Sequence, residues 1–115
     1  MYVVDEQVST PNACAFIAET TREIIKLSVE VPELCTRLYH LTTHGSVSRW
    51  EWARKILEFE SALPGKSKRE IKPVSSGYVS AAAVRPKYST LSNEKIEKTF
   101  NITIQKWEDL LRRLM

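Results

Sequence analysis

Arg85 followed by Pro86 sets five guanidinium donors on a backbone of restricted freedom, a fork that suits the two-pronged grip of a phosphate or diphosphate. The same pair serves equally well as a surface salt bridge. A second basic group, Lys66, Lys68, Arg69 and Lys72, has only Glu70 opposing it and reads as a solvated loop. Anion binding is the rival reading for that cluster, and a nucleic-acid partner ranks last because no aromatic side chains are interleaved for base stacking. His40 and His44 stand four residues apart, but His40 falls in a predicted strand and zinc would need a third ligand, so both read as structural. Cys14 and Cys35 are too few for a disulfide framework and are expected as reduced thiols in or near the core. Acidic pairs such as Glu58 and Glu60 read as solvated helix faces.

The machinery of redox and acyl-transfer chemistry does not assemble from this sequence. Carbonyl reduction calls for a Tyr with a Lys four residues on, but Tyr2, Tyr39, Tyr78 and Tyr88 are followed at that distance by Glu6, Thr43, Ala82 and Ser92. A dinucleotide needs a strand, a glycine-rich turn and a helix amino terminus at its pyrophosphate, and glycine at positions 45, 65 and 77 alone cannot form that turn. No G-x-S-x-G nucleophile motif occurs. What remains is recognition chemistry centred on Arg85.

The elements that must position such a residue are legible in outline. At 115 residues, 43% apolar and 27% charged, with a net charge of +3, the chain supports one modest core and a single domain over 1–115. No apolar run approaches the roughly 20 residues of a membrane span, and the first residues lack a basic start followed by an apolar stretch, so a cytoplasmic location is expected. Tyr2-Val3-Val4 is β-prone; Thr10 is a cap candidate and Pro11 suits a first turn, leading into a helix over 13–27 whose Cys14, Ile17, Thr21, Ile24 and Ile25 would face the core. After Pro32, residues 37–42 read as a strand ending near Gly45. Ser48 and Glu51 make a capping box for a helix running to about Ser61, with Trp50, Ala53, Ile56 and Leu57 inward. From Lys66 to Pro86 the pattern is irregular apart from a short strand near Ile71, and irregular stretches of that length are often binding loops. Tyr88 to Leu91 is extended, a short helix covers 93–100, and a last helix begins near Gln105 with Trp107, Leu110, Leu111 and Leu114 on one face.

The tail from Arg85 to Lys95, with Phe100, Ile102 and Trp107 beyond it, resembles the close of the dTDP-4-dehydrorhamnose reductases, R-P-x-x-S-x-L-x-x-x-K followed by F-x-I and a Trp opening the last helix. Two earlier blocks are similar in the same order. Residues 4–11 resemble the family's V-x-D-Q-x-G-x-P-T segment, and Leu38-Tyr39-His40-Leu41 with Ser48, Trp50 and Ala53 resembles its Y-H-L…T-S-W-x-x-F-A segment. Departures fall at the ligand-facing blocks: Ser9 replaces a Gly, Asn12 replaces a Thr, and the loop prolines are replaced around Val79 and Ala81, with one residue more between Tyr78 and Arg85.

The resemblance covers the whole chain but only about the last third of a typical family member. It implies an α/β class, the small, mostly helical C-terminal substrate-binding domain of an extended short-chain dehydrogenase/reductase, with the Rossmann portion absent. It further implies that Arg85 holds the diphosphate of a dTDP-sugar, that Gln7, Pro11 and Asn12 line or shape the sugar and nucleotide end, and that Tyr78 matches the Tyr of the family's S-x-Y-P-T-P loop. NADPH or NADH and the Tyr/Lys pair belong to the missing portion, whether that portion lies upstream in a longer reading frame or on a separate cofactor-domain chain or homodimer partner. On that basis the chain by itself is expected to be inactive as an oxidoreductase. A reading from another class is a catalytically silent interaction or regulatory protein.

Overall fold

The computed structural model describes residues 1–66, 69–79 and 82–115, with the side chain of Cys35 outside the described set. Lys68 of the basic cluster and Ala81 of the altered loop also lie outside the described residues. Four α-helices carry most of the regular structure: α1 (Cys14–Glu30), α2 (Arg49–Ser61), α3 (Glu94–Phe100) and α4 (Trp107–Leu114). Two short ribbons join them. Strand β1 (Tyr2–Val4) pairs in parallel with β4 (Lys72–Val74), Val3 opposite Pro73, and β2 (Val8–Ser9) pairs antiparallel with β3 (Val47–Ser48). Pro73 has no amide to donate, which suits a ribbon of only two strands.

The capping box forms as the sequence dictates. The Ser48 hydroxyl accepts from the Glu51 amide at 3.2 Å and the Glu51 carboxylate accepts from the Ser48 amide at 3.3 Å. Helix α1 departs from expectation at its start and along its length. It begins after Ala13 without a side-chain cap, because the Thr10 hydroxyl donates instead to the Gly45 carbonyl at 2.8 Å. Its buried strip passes through Phe16, Ile17, Ile24 and Ser28, leaving Cys14 and Thr21 exposed and Ile25 59% exposed. The sequence offers apolar residues on two sides of this helix, and the strip that meets α3 and Tyr39 is the one buried. Cys14 is therefore a free thiol in solvent rather than a core residue.

Residues 37–42 form no strand. Their backbone partners are side chains: Lys95 Nζ donates to the Leu38 carbonyl at 2.6 Å, and Asn93 both donates to the Thr42 carbonyl at 2.7 Å and accepts from its amide at 3.0 Å. Side-chain donors and acceptors thus take groups that a ladder would have used. Thr43 is one of the most deeply buried residues, its hydroxyl donating to the Pro11 carbonyl at 2.7 Å. The segment then bridges to the approach of α4 through the His44 amide on the Gln105 carbonyl and the Trp107 amide on the His44 carbonyl.

The core is in two pieces. Phe16, Ile96, Phe100, Ile104 and Leu110 form one, between α1, α3 and α4; Val47, Trp107 and Leu111 form the other, with Ile56 and Phe59 of α2 against it. Leu114, expected on that face, is 64% exposed in the last turn of α4. The chain spreads as a slab of 51 × 38 × 19 Å with a radius of gyration of 17.5 Å. A compact domain of about this length would have one near 13 Å. No helix among the described residues is long and apolar enough to cross a membrane.

Candidate functional site

The carbonyl end of β1 and the start of α2 converge, and two clefts open there. One, of about 480 Å³, is walled by Val4, Gln7, Arg49, Ser76, Gly77, Val79, Ala83, Val84, Arg85 and Lys87. The other, of about 410 Å³, is walled by Val3, Ser9, Pro11, Asn12, Val47, Ser48, Arg49, Trp52 and Ala53. Arg49 lines both. The structure therefore brings Arg85 and Gln7 to one cleft and Pro11 and Asn12 to its neighbour.

Backbone and side-chain contacts hold the first cleft open. The Glu6 carboxylate accepts from the Ser76 amide at 3.0 Å, fixing the 3-10 turn Ser76–Tyr78, and Gln7 Nε2 donates to the Ser76 hydroxyl at 3.4 Å. The amide hydrogen bond from Ser76, then its hydroxyl and the charge of Lys87, hold the Glu6 carboxyl below the usual carboxylate range. On the opposite wall, the Val8 amide donates to the Lys87 carbonyl at 2.8 Å and the Ser89 amide to the Val8 carbonyl at 3.0 Å. These two bonds tie the irregular segment that follows Arg85 to β2. Arg49 is anchored by its amide on the Gln7 carbonyl at 3.3 Å.

Asn12 proves to be a strut. Its Oδ1 accepts from the Thr43 amide at 2.8 Å and the Thr42 hydroxyl at 3.3 Å, while its Nδ2 donates to the Thr10 carbonyl at 3.3 Å. It shapes the second cleft, with its polar atoms already engaged by protein. Tyr78 lines neither cleft. It is 62% exposed and its ring meets that of Tyr2 at 5.3 Å between centroids, although its neighbours Gly77 and Val79 are wall residues.

The other sequence candidates fall away from this place. Lys66 and Arg69 reach the Glu60 carboxylate at 3.9 and 3.8 Å, and Lys72 lies in β4, so the described members of that cluster line neither of the two clefts. Glu58 is engaged by Arg54 and Lys55. His44 Nε2 meets Glu97 at 2.8 Å, and that carboxylate also accepts from the Ile104 amide at 3.2 Å. The hydrogen bond with His44 is the main cause holding Glu97 below the ordinary carboxylate range, against the opposing effect of burial. Among the described residues no group of three or more His, Cys, Asp or Glu could hold a metal ion.

Sequence reasoning overlooked Arg49 and Lys87. Arg49 was legible in one respect: it follows directly on the cap Ser48, at the first position of a helix, where a cation is disfavoured by the helix dipole.

With this geometry in place, the family pattern of the RmlD substrate binding domain matches residues 1–115. The chain is 25% identical over 114 residues to the dTDP-4-dehydrorhamnose reductase of Salmonella typhimurium, covering 98% of this chain and 38% of that protein. The crystal structure of the dTDP-4-dehydrorhamnose reductase of Bacillus anthracis in complex with NADP superposes with a TM-score of 0.83 at 28% identity, covering 98% of this chain and 36% of that one. The Clostridium acetobutylicum orthologue superposes with a TM-score of 0.77 at 26% identity, covering 97% and 36%. The chain thus spans a little over a third of the length of these reductases and corresponds to a C-terminal portion of them.

Proposed function

We propose, from the premise that the chain belongs to the RmlD substrate binding domain family, that it is the sugar-nucleotide-holding part of an NADPH-dependent dTDP-4-dehydrorhamnose reductase. The observation that carries this reading is the cleft in which Arg85 and Gln7 meet, in a chain whose whole length matches the family. Arg85 grips the diphosphate, since a planar fork of donors matches two phosphate oxygens at once. The Gln7 amide adds a neutral donor and acceptor beside it. Pro11 shapes the adjoining cleft, and Asn12 holds that loop to Thr42 and Thr43. A single domain over 1–115, acting in the cytoplasm, is part of the same reading.

A nicotinamide cofactor does not fit the described residues. Gly45 lies against Trp107 and Gly65 at the end of α2's turn, both at positive φ, and Gly77 sits in the 3-10 turn after β4. None opens a helix after a strand in the manner a pyrophosphate requires. On this reading hydride and proton come from a portion outside these residues.

Titration with dTDP and dTDP-rhamnose, followed through Trp fluorescence, tests the proposal, with Trp52 on the wall of the second cleft as reporter. A saturable response is expected, and Arg85→Ala should weaken it by about tenfold or more, the worth of a charge-assisted contact. No turnover of NADPH is expected from the purified chain. A flat titration, as a purely interacting protein would give, or measurable turnover would refute the reading.

A further inference from the structure

Three cations, Arg49, Arg85 and Lys87, line the first cleft, and no carboxylate does. Among the described residues none of the three has an ion-pair partner within 4.0 Å. The neighbouring carboxylates are engaged by other groups. Asp5 accepts from the Ser48 hydroxyl at 3.2 Å, Glu6 from the Ser76 amide, and Glu51 from the Ser48 amide. Arg49 is the first residue of α2, where the helix dipole works against a positive charge. A cation kept at an unfavourable position, unpaired and facing two others across a cleft, breaks a local rule without an evident gain to the fold. Such breaks mark places where a ligand supplies the compensation.

We propose that Arg49 is a second phosphate-holding residue, which with Arg85 forms a two-guanidinium cradle for a dianionic diphosphate. The proposal rests on the reading of this cleft as the diphosphate site and adds to it a residue that the motif around Arg85 does not contain. A diphosphate ester carries about two negative charges, and two forks can each take oxygens from a different phosphoryl group. Because Arg49 also lines the cleft of Pro11, Asn12 and Trp52, the cradle lies where the two clefts meet, and a ligand held there reaches both. The Arg49 amide is taken by the Gln7 carbonyl and the Glu51 amide by the Ser48 cap, and the grip proposed is that of the Arg49 side chain.

Calorimetric titration of the 115-residue chain and its Arg49→Gln and Arg85→Ala variants, with dTDP, inorganic pyrophosphate and thymidine as probes, tests this. Arg49→Gln should weaken both dTDP and pyrophosphate by about tenfold, Arg49→Lys should restore part of the loss, and thymidine should be indifferent to all three changes. The ligand-free Arg49→Gln chain should melt at the same or a higher temperature, because a cation leaves a helix amino terminus. Unchanged dTDP affinity in Arg49→Gln, with Arg85→Ala still weakened, would overturn the second grip and leave the diphosphate site standing. Pyrophosphate binding that depends on Arg49, without any dTDP response, would support the cradle and remove the sugar nucleotide. No binding of either probe, or a lowered melting temperature in ligand-free Arg49→Gln, would overturn the proposal.

Discussion

Asn93→Ala should be among the most damaging single changes in this chain. Asn93 is 3% exposed, and its amide spans the whole peptide edge of Thr42, accepting from the nitrogen at 3.0 Å and donating to the carbonyl at 2.7 Å. Thr42 is equally buried, so water cannot replace either bond without opening the structure. Each group left unmet costs about 1–3 kcal/mol, and allowing for relaxation the loss should come to about 2–4 kcal/mol. Against the roughly 5–15 kcal/mol that holds a domain, that is a large share. Urea denaturation followed by circular dichroism should report it, together with a fall in melting temperature of about 8–16 °C. Asn93→Asp refines the test. The carboxylate keeps the bond to the Thr42 amide but turns an acceptor toward its carbonyl, so the variant should be as unstable as alanine at neutral pH and regain stability as acid protonates it. The reasoning fails if Asn93→Ala loses less than about 0.5 kcal/mol, for then the Thr42 backbone is not held by this side chain.

Gly45 sits at φ +88°, and an added Cβ would lie 3.0 Å from Trp107 Cδ1, so Gly45→Ala should cost about 1–3 kcal/mol in a thermal melt; an unchanged melt would count against the backbone described. Ser48→Ala removes the cap of α2 and should cost about 1 kcal/mol by the same assay, while Ser48→Thr should keep most of it. Glu97 is held below its ordinary range first by His44, so its contribution is present above the ordinary carboxylate value and is lost as pH falls through the depressed one. Acid unfolding should accordingly steepen below about pH 4.3, and Glu97→Gln should flatten that limb; identical acid profiles would contradict the pairing.

Where the determinants of structure are local, they were legible in the residues. The capping box at Ser48 and Glu51, the end of α2 at Ser61, the short strand β4 and the buried Trp107, Leu110 and Leu111 all follow from neighbours in sequence. Residues 37–42 show the opposite case. Their β-formers promise a strand, but the partners are side chains of Asn93 and Lys95 on the backbone and Asn12 on the Thr42 hydroxyl, remote in sequence, and no pattern within the segment announces them. The face of α1 was misjudged for a similar reason: apolar residues lie on two sides, and only the placement of α3 and Tyr39 selects one. In the site, the Arg85 motif and the Gln7 block were visible as a family pattern, and the structure brings those two residues to one cleft. Asn12 was visible by position but not by role, because its partners Thr42 and Thr43 stand at the end of that irregular segment and just beyond it, 30 and 31 residues on in sequence. Arg49 carried no motif; its place just after the cap Ser48 was the one sign in the sequence, and its position between two clefts gives that sign a meaning.

Amide chemical shifts recorded while dTDP is added to isotopically labelled chain test the central claim most directly. The account predicts saturable changes gathered at Gln7, Arg49, Ser76, Gly77, Arg85 and Lys87, the walls of one cleft, and their disappearance in Arg85→Ala. Changes scattered over the slab, or centred on the α1 side around Ile24 and Val29 with Arg85 unmoved, would contradict it.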